Sequence, residues 1–126
     1  MLRKLSSAIF LLTACVIGLG ALGHGSQWGR HVYAAVSGVD PQVVELLKLI
    51  WFWVSGTMLV FGALLIWVWW RIRQGDRNLF FIPWAVGAFY LVEGMCGVLY
   101  LGAFFALFIV LAVLLCASAW VLQRAR

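Results

Sequence analysis

Hydrophobic positions in this chain come in long unbroken runs separated by short polar intervals, not in the alternating pattern of a half-buried sheet. The first run covers residues 5–23, directly after Arg3 and Lys4. Its 19 residues approach the roughly 20 that an α-helix needs to cross a bilayer's hydrocarbon core. Leu12-Thr13-Ala14-Cys15 resembles a lipoprotein cleavage box, but the run continues beyond Cys15 through Val16, Ile17, Leu19 and Leu22. It reads as a retained first helix.

A polar interval follows from His24 to Asp40, and its middle, residues 28–36, is expected to form a short helix at the membrane surface. Glycines at 23, 25 and 29 argue against one continuous helix through His24 and His31. Asp40-Pro41 marks a clear helix start, with a capping carboxylate followed by proline at the first helical position. The second helix is therefore placed at residues 41–71. Its most apolar part, 49–70, rises about 33 Å, enough to span. Residues 71–78, Arg-Ile-Arg-Gln-Gly-Asp-Arg-Asn, form a charged turn. The next 44 residues, 79–122, contain one charge, Glu93, and make about twice the length of one span. A reversal between Gly97 and Gly102 divides them into helices at 79–97 and 101–123.

The expected fold is thus all-α: a polytopic integral membrane protein forming one four-helix bundle over residues 1–126. Composition supports this, because 66% of residues are hydrophobic and only 10% are charged, against about 25% charged in soluble domains. The net charge of +5 does not point to nucleic acid, because the basic residues flank the apolar runs and form no water-facing stripe. With the amino terminus inside, seven of the nine Lys/Arg fall inside and two, Arg30 and Lys48, outside. Seven bases less Asp76 give +6 inside; two bases less Asp40, Glu45 and Glu93 give −1 outside. The positive-inside rule then places both termini in the cytoplasm, with a bacterial plasma (inner) membrane the expected location. Trp67, Trp69, Trp70, Trp84 and Trp120 mark the inner interface, and Trp28, Trp51 and Trp53 the outer one.

Helical periodicity assigns faces. On the second helix Leu47, Ile50, Val54, Met58, Phe61, Leu65 and Val68 form an apolar stripe expected to face lipid. Glu45, Lys48, Phe52, Ser55, Gly56, Leu59 and Ala63 are expected to face the bundle. Small residues at close-packing spacing, Ala14, Gly18 and Ala21 on the first helix and Gly102, Ala106, Ala112, Cys116 and Ala119 on the fourth, suit helix contacts.

Chemistry-bearing residues are few. Cys15, Cys96 and Cys116 lie inside apolar runs and form no C-x-x-C pair, so neither zinc nor a disulfide framework is expected. No Walker loop, nucleophile elbow, zincin motif or dinucleotide fingerprint occurs, and no cofactor or metal is expected. Glu93 stands out as a carboxylate about 21 Å along the third helix. At mid-membrane such a group costs about 2.5–3.5 kcal/mol, less toward the edge, so it is expected to face the bundle beside a partner. Tyr90 and Tyr100 are its local hydroxyls; His24, Arg30, His31, Glu45 and Lys48 are the other outer polar groups. Glu93, His31 and His24 are the candidate acid–base residues. Glu93, Tyr90, Tyr100, Glu45, Lys48 and Arg30 are the candidate ligand contacts. The simpler reading is a structural hydrogen bond to Glu93 and an ordinary helix pair between Glu45 and Lys48.

Three functions fit these features. The first is a non-enzymatic accessory, assembly or self-associating subunit, with the lipid bilayer and a membrane protein or second copy as partners. The second is a protein or isomerase-like enzyme holding a quinone, sterol or isoprenoid near Glu93. The third is a proton-coupled transporter of small molecules.

Overall fold

The structure is a computed structural model that describes residues 1–124; Arg126, counted above among the inner cations, lies outside the described residues. Four helices are long and apolar enough to cross a membrane, as in multi-pass membrane proteins. Helix α1 is Leu2–Ala35, α2 is Pro41–Arg73, α3 is Phe81–Tyr100 and α4 is Ala106–Arg124. Single 3-10 turns at Asn78–Phe80 and Ala103–Phe105 lead into α3 and α4.

Local chemistry explains most boundaries. The Asp40 carboxylate accepts the Gln42 N–H at 2.7 Å, with Pro41 in the first turn of α2. At the other end, Gly75 takes φ +97° and the chain reverses. The Arg71 guanidinium donates to the Asp76 carboxylate at 2.8 Å, and Asp76 also accepts the Asn78 N–H at 3.1 Å, which closes this turn. Helix α3 ends where the amides of Leu101 and Gly102 both donate to the Gly97 carbonyl, at 2.8 and 3.0 Å. Gly102 then reverses the chain with φ +124°.

Three sequence expectations need correction. The first helix does not stop at residue 23, and residues 28–36 are not a separate surface helix. The α-helix runs from Leu2 to Gln27, widens into a π-helical turn at Trp28–Val32, and finishes at Tyr33–Ala35. Gly25 lies inside this helix on the side facing α2, where a Cβ would sit in ordinary contact with Ser55 Oγ at 3.5 Å. Tertiary contact outweighs the low helix propensity of glycine here. The third helix extends three residues past Gly97, to Tyr100, and regular helix resumes only at Ala106. Gly97 lies within the helix, not at the reversal itself, directly against the Phe105 ring.

The apolar stripe on α2 is also reassigned. Met58, Leu65 and Val68 are buried, whereas Phe52, Gly56, Leu59 and Ala63 are exposed. Lipid is as apolar as leucine, so hydrophobicity cannot decide which face turns inward; close backbone approach can. Gly62 is the residue that decides, because it packs on the backbone of Ala14 and Gly18 in α1.

The helices pack in the order α2–α1–α4–α3, and α2 touches α3 only sparsely. The main bridge between α2 and α3 is aromatic, with Phe61 edge-on to Phe89 at 5.4 Å and tilted against Tyr90 at 6.5 Å. Phe10, Ile17, Leu65, Val68, Tyr90 and Leu115 form the deepest part of the core. Along α3, Gly87, Gly94 and Gly97 admit Cys116, Ile109 and Phe105 of the α4 side. Indole hydrogen bonds tie α1 to α2 near both ends: Trp69 Nε1 donates to Ser7 Oγ at 2.9 Å, and Trp51 Nε1 donates to the His24 carbonyl at 2.8 Å.

Candidate functional site

Polar side chains inside apolar helices are costly without partners, so each candidate is informative through what it touches. His24 lies on α1 just before the π-helical turn. Its ring stacks on Trp51 of α2 with centroids 4.1 Å apart and planes 14° apart. Its Nδ1 lies 2.9 Å from Ser55 Oγ. The Ser55 hydroxyl also reaches the Trp51 carbonyl at 3.2 Å. One hydroxyl proton cannot serve both neighbours, so the His24 tautomer decides whether Ser55 donates to the ring or to the carbonyl. Trp28 closes the group, its ring 6.2 Å from that of Trp51. The result is a half-buried histidine held by packing and by a hydrogen bond.

The remaining candidates do not converge on this group. Glu45 and Lys48 pair with each other at 3.5 Å on an exposed face, where such a pair contributes about 0–1 kcal/mol. Arg30 and His31 sit in the π-helical turn, exposed, and make no hydrogen bond or ion pair with described residues. Tyr100 is exposed at the end of α3. Glu93 is half-buried one turn after Tyr90 and makes no hydrogen bond or ion pair with described residues. Tyr90 is 1% exposed among Phe61, Phe89 and Phe108, and its hydroxyl is buried without a hydrogen-bond partner.

The candidates thus fall into five separate places: the histidine group between α1 and α2, Arg30 and His31 in the π-helical turn, the exposed Glu45–Lys48 pair, Tyr90 with Glu93 within α3, and Tyr100 at its end. Ser55 and Trp51 are the partners that sequence reading missed. The small-residue face held the clue, since a register that sets Gly18 opposite Gly62 also brings His24 level with Ser55. Among the described residues no cluster of three His, Cys, Asp or Glu could hold a metal ion.

The charged turn is the other polar feature. Its Asp76 carboxyl is held below the usual carboxylate range, chiefly by the Arg71 hydrogen bond and then by the Asn78 amide. Comparison of the chain with protein families, curated proteins and solved structures finds no match.

Proposed function

We propose that this chain is a multi-pass membrane protein with both termini cytoplasmic, acting without catalysis as an assembly subunit. The docking element in this reading is the projecting end of the α1–α2 hairpin. The supporting observation is a difference in length. The spans containing α1 and α2 have 34 and 33 residues, against 23 and 22 for those containing α3 and α4. Arg3, Arg73, Arg77 and Leu122, from the opposite end of the bundle, line one shared cavity. The excess of about 11 residues therefore extends the first hairpin some 16 Å beyond the second.

That extension is apolar on several sides. Val43, Leu46, Leu47, Leu49 and Ile50 are all exposed on α2. Exposed apolar side chains clustered in this way are normally covered by lipid or protein, and this portion lies where α2 outgrows the bundle's own cover. A photo-crosslinking amino acid at position 46, used in native membranes, tests the reading. The expected product is a discrete protein adduct, either a dimer or a heterologous complex. Lipid adducts alone would overturn it. Reporter fusions at Ser37 and Gln74 test the orientation, and should read external and cytoplasmic respectively.

A second reading is favoured by the buried, unpartnered Tyr90 hydroxyl next to half-buried Glu93. These two groups suit a lipophilic ligand with a hydrogen-bonding head, such as a quinone, sterol or isoprenoid. Bound ligand detected by mass spectrometry of purified protein, and lost on Tyr90→Phe, would support it.

A further inference from the structure

At the end of the bundle opposite the projecting hairpin, the start of α1, the end of α2, the charged turn and the end of α4 enclose a cavity of about 510 Å³. Four cations line it: Arg3 and Lys4 from α1, Arg73 from α2 and Arg77 from the turn. No acidic side chain among the described residues lines it, and Asp76, the nearest acid in sequence, is engaged by Arg71. The Arg73 guanidinium is steered by the Trp69 ring, lying 4.9 Å from its centroid. Trp69 is itself pinned to Ser7 by its indole N–H.

Two of these charges are placed unfavourably without an anion. Arg3 and Lys4 occupy the first turn of α1, which carries no acidic residue, and the helix dipole favours negative charge at that end. The lining is also mixed: beside the cations stand the apolar Ile72, Phe80 and Leu122. A soluble phosphate would use only the cations. A lipid with an anionic phosphodiester headgroup would use both, with the phosphate among the cations and the first acyl carbons against the apolar side chains.

We propose that this cavity is a binding site for the phosphodiester headgroup of an anionic membrane lipid. It rests on the membrane reading above, but neither on the partner nor on the orientation assigned there.

The test is native mass spectrometry of the full chain released from micelles doped with equal phosphatidylglycerol and phosphatidylcholine. The wild type should retain phosphatidylglycerol preferentially. Each of Arg3→Gln, Lys4→Gln and Arg73→Gln should lower that preference by about fivefold, while Lys48→Gln, at the far end, should leave it unchanged. Equal retention of the two lipids by the wild type would overturn the proposal. So would a preference that survives all three substitutions, or displacement of phosphatidylglycerol by equimolar inorganic phosphate, which would assign the cations to a soluble anion. If Arg3→Gln or Arg73→Gln does not insert, Lys4→Gln, at an exposed position, carries the same comparison. Failure of the membrane reading shows itself separately, as release of the chain from membranes by alkaline carbonate.

Discussion

Gly18 and Gly62 meet asymmetrically across the α1–α2 interface: a Cβ on Gly62 would lie 2.6 Å from the Gly18 backbone nitrogen, whereas one on Gly18 would come no closer than 3.5 Å to Gly62. The first distance is a clash with backbone that cannot swing aside, and the second is ordinary van der Waals contact. Gly62→Ala should therefore destabilise the bundle by about 1–3 kcal/mol through forced separation of the helices. Gly18→Ala should change stability by less than about 0.5 kcal/mol. Reversible unfolding in mixed micelles would compare the two, and equal losses would show that the interface can shift.

The histidine group offers a second comparison. Ser55→Ala removes the partner of His24 Nδ1 but leaves the ring stacked on Trp51. Hydrogen bonds between membrane helices average about 0.6 kcal/mol in double-mutant cycles, and that coupling is expected between Ser55→Ala and His24→Ala. Trp51→Phe keeps an aromatic face under His24 while deleting the indole donor to its carbonyl. It should cost about 0.5–1.5 kcal/mol. A coupling near zero would mean that His24 is held by packing alone.

Glu93 has no partner among the described residues to lose. Glu93→Gln removes a charge that an apolar surrounding penalises, so stability at neutral pH should stay the same or rise by up to about 1 kcal/mol. A loss of more than about 1 kcal/mol on thermal or denaturant unfolding would mean that the carboxylate is bonded in the membrane. Loss of a retained ligand by this variant, with stability unchanged, would favour the second functional reading.

The turn between α2 and α3 should respond to acid. Because the folded Asp76 carboxyl titrates below its usual value, its bond to Arg71 stabilises the turn fully above the ordinary aspartate pKa of about 3.9. That contribution is lost as pH falls through the lower, folded value. Hydrogen exchange at Gly75 and Asn78 should accordingly accelerate only in strong acid. In Asp76→Asn it should be fast at neutral pH and should lack the acid transition.

The helices themselves were legible in the chain because the signals that set them are local. Apolar run length, Asp40-Pro41 and Gly102 each act within a few residues, and each is found where α2 begins or α3 reverses. What escaped was non-local. The helix continues through Gly25 on a stretch that packs beside Ser55 of α2, a residue 30 positions away. Which side of α2 faces inward depends on where α1 comes close, since Leu65 and Leu59 are equally compatible with lipid by chemistry alone. The candidate site dispersed for the same reason. Grouping Glu93 with His24 assumed that outer-end residues converge, but α3 lies across α4 from α1 in the packing order, so the two groups stand on separate interfaces.

The central position of α1 also bears on biogenesis. Helices α1 and α2 can pair as soon as both have left the ribosome, since their interface needs nothing that comes later. Helix α3 emerges next with little to dock on, because α2 offers it mainly the Phe61 contact. Its glycine-lined face stays turned to lipid until α4 arrives, and α4 must insert between α3 and the waiting flank of α1. Closure of the bundle therefore falls to the helix synthesised after the other three, and a nascent chain stalled before Ala106 would hold three of the four apolar helices yet still be open along one side.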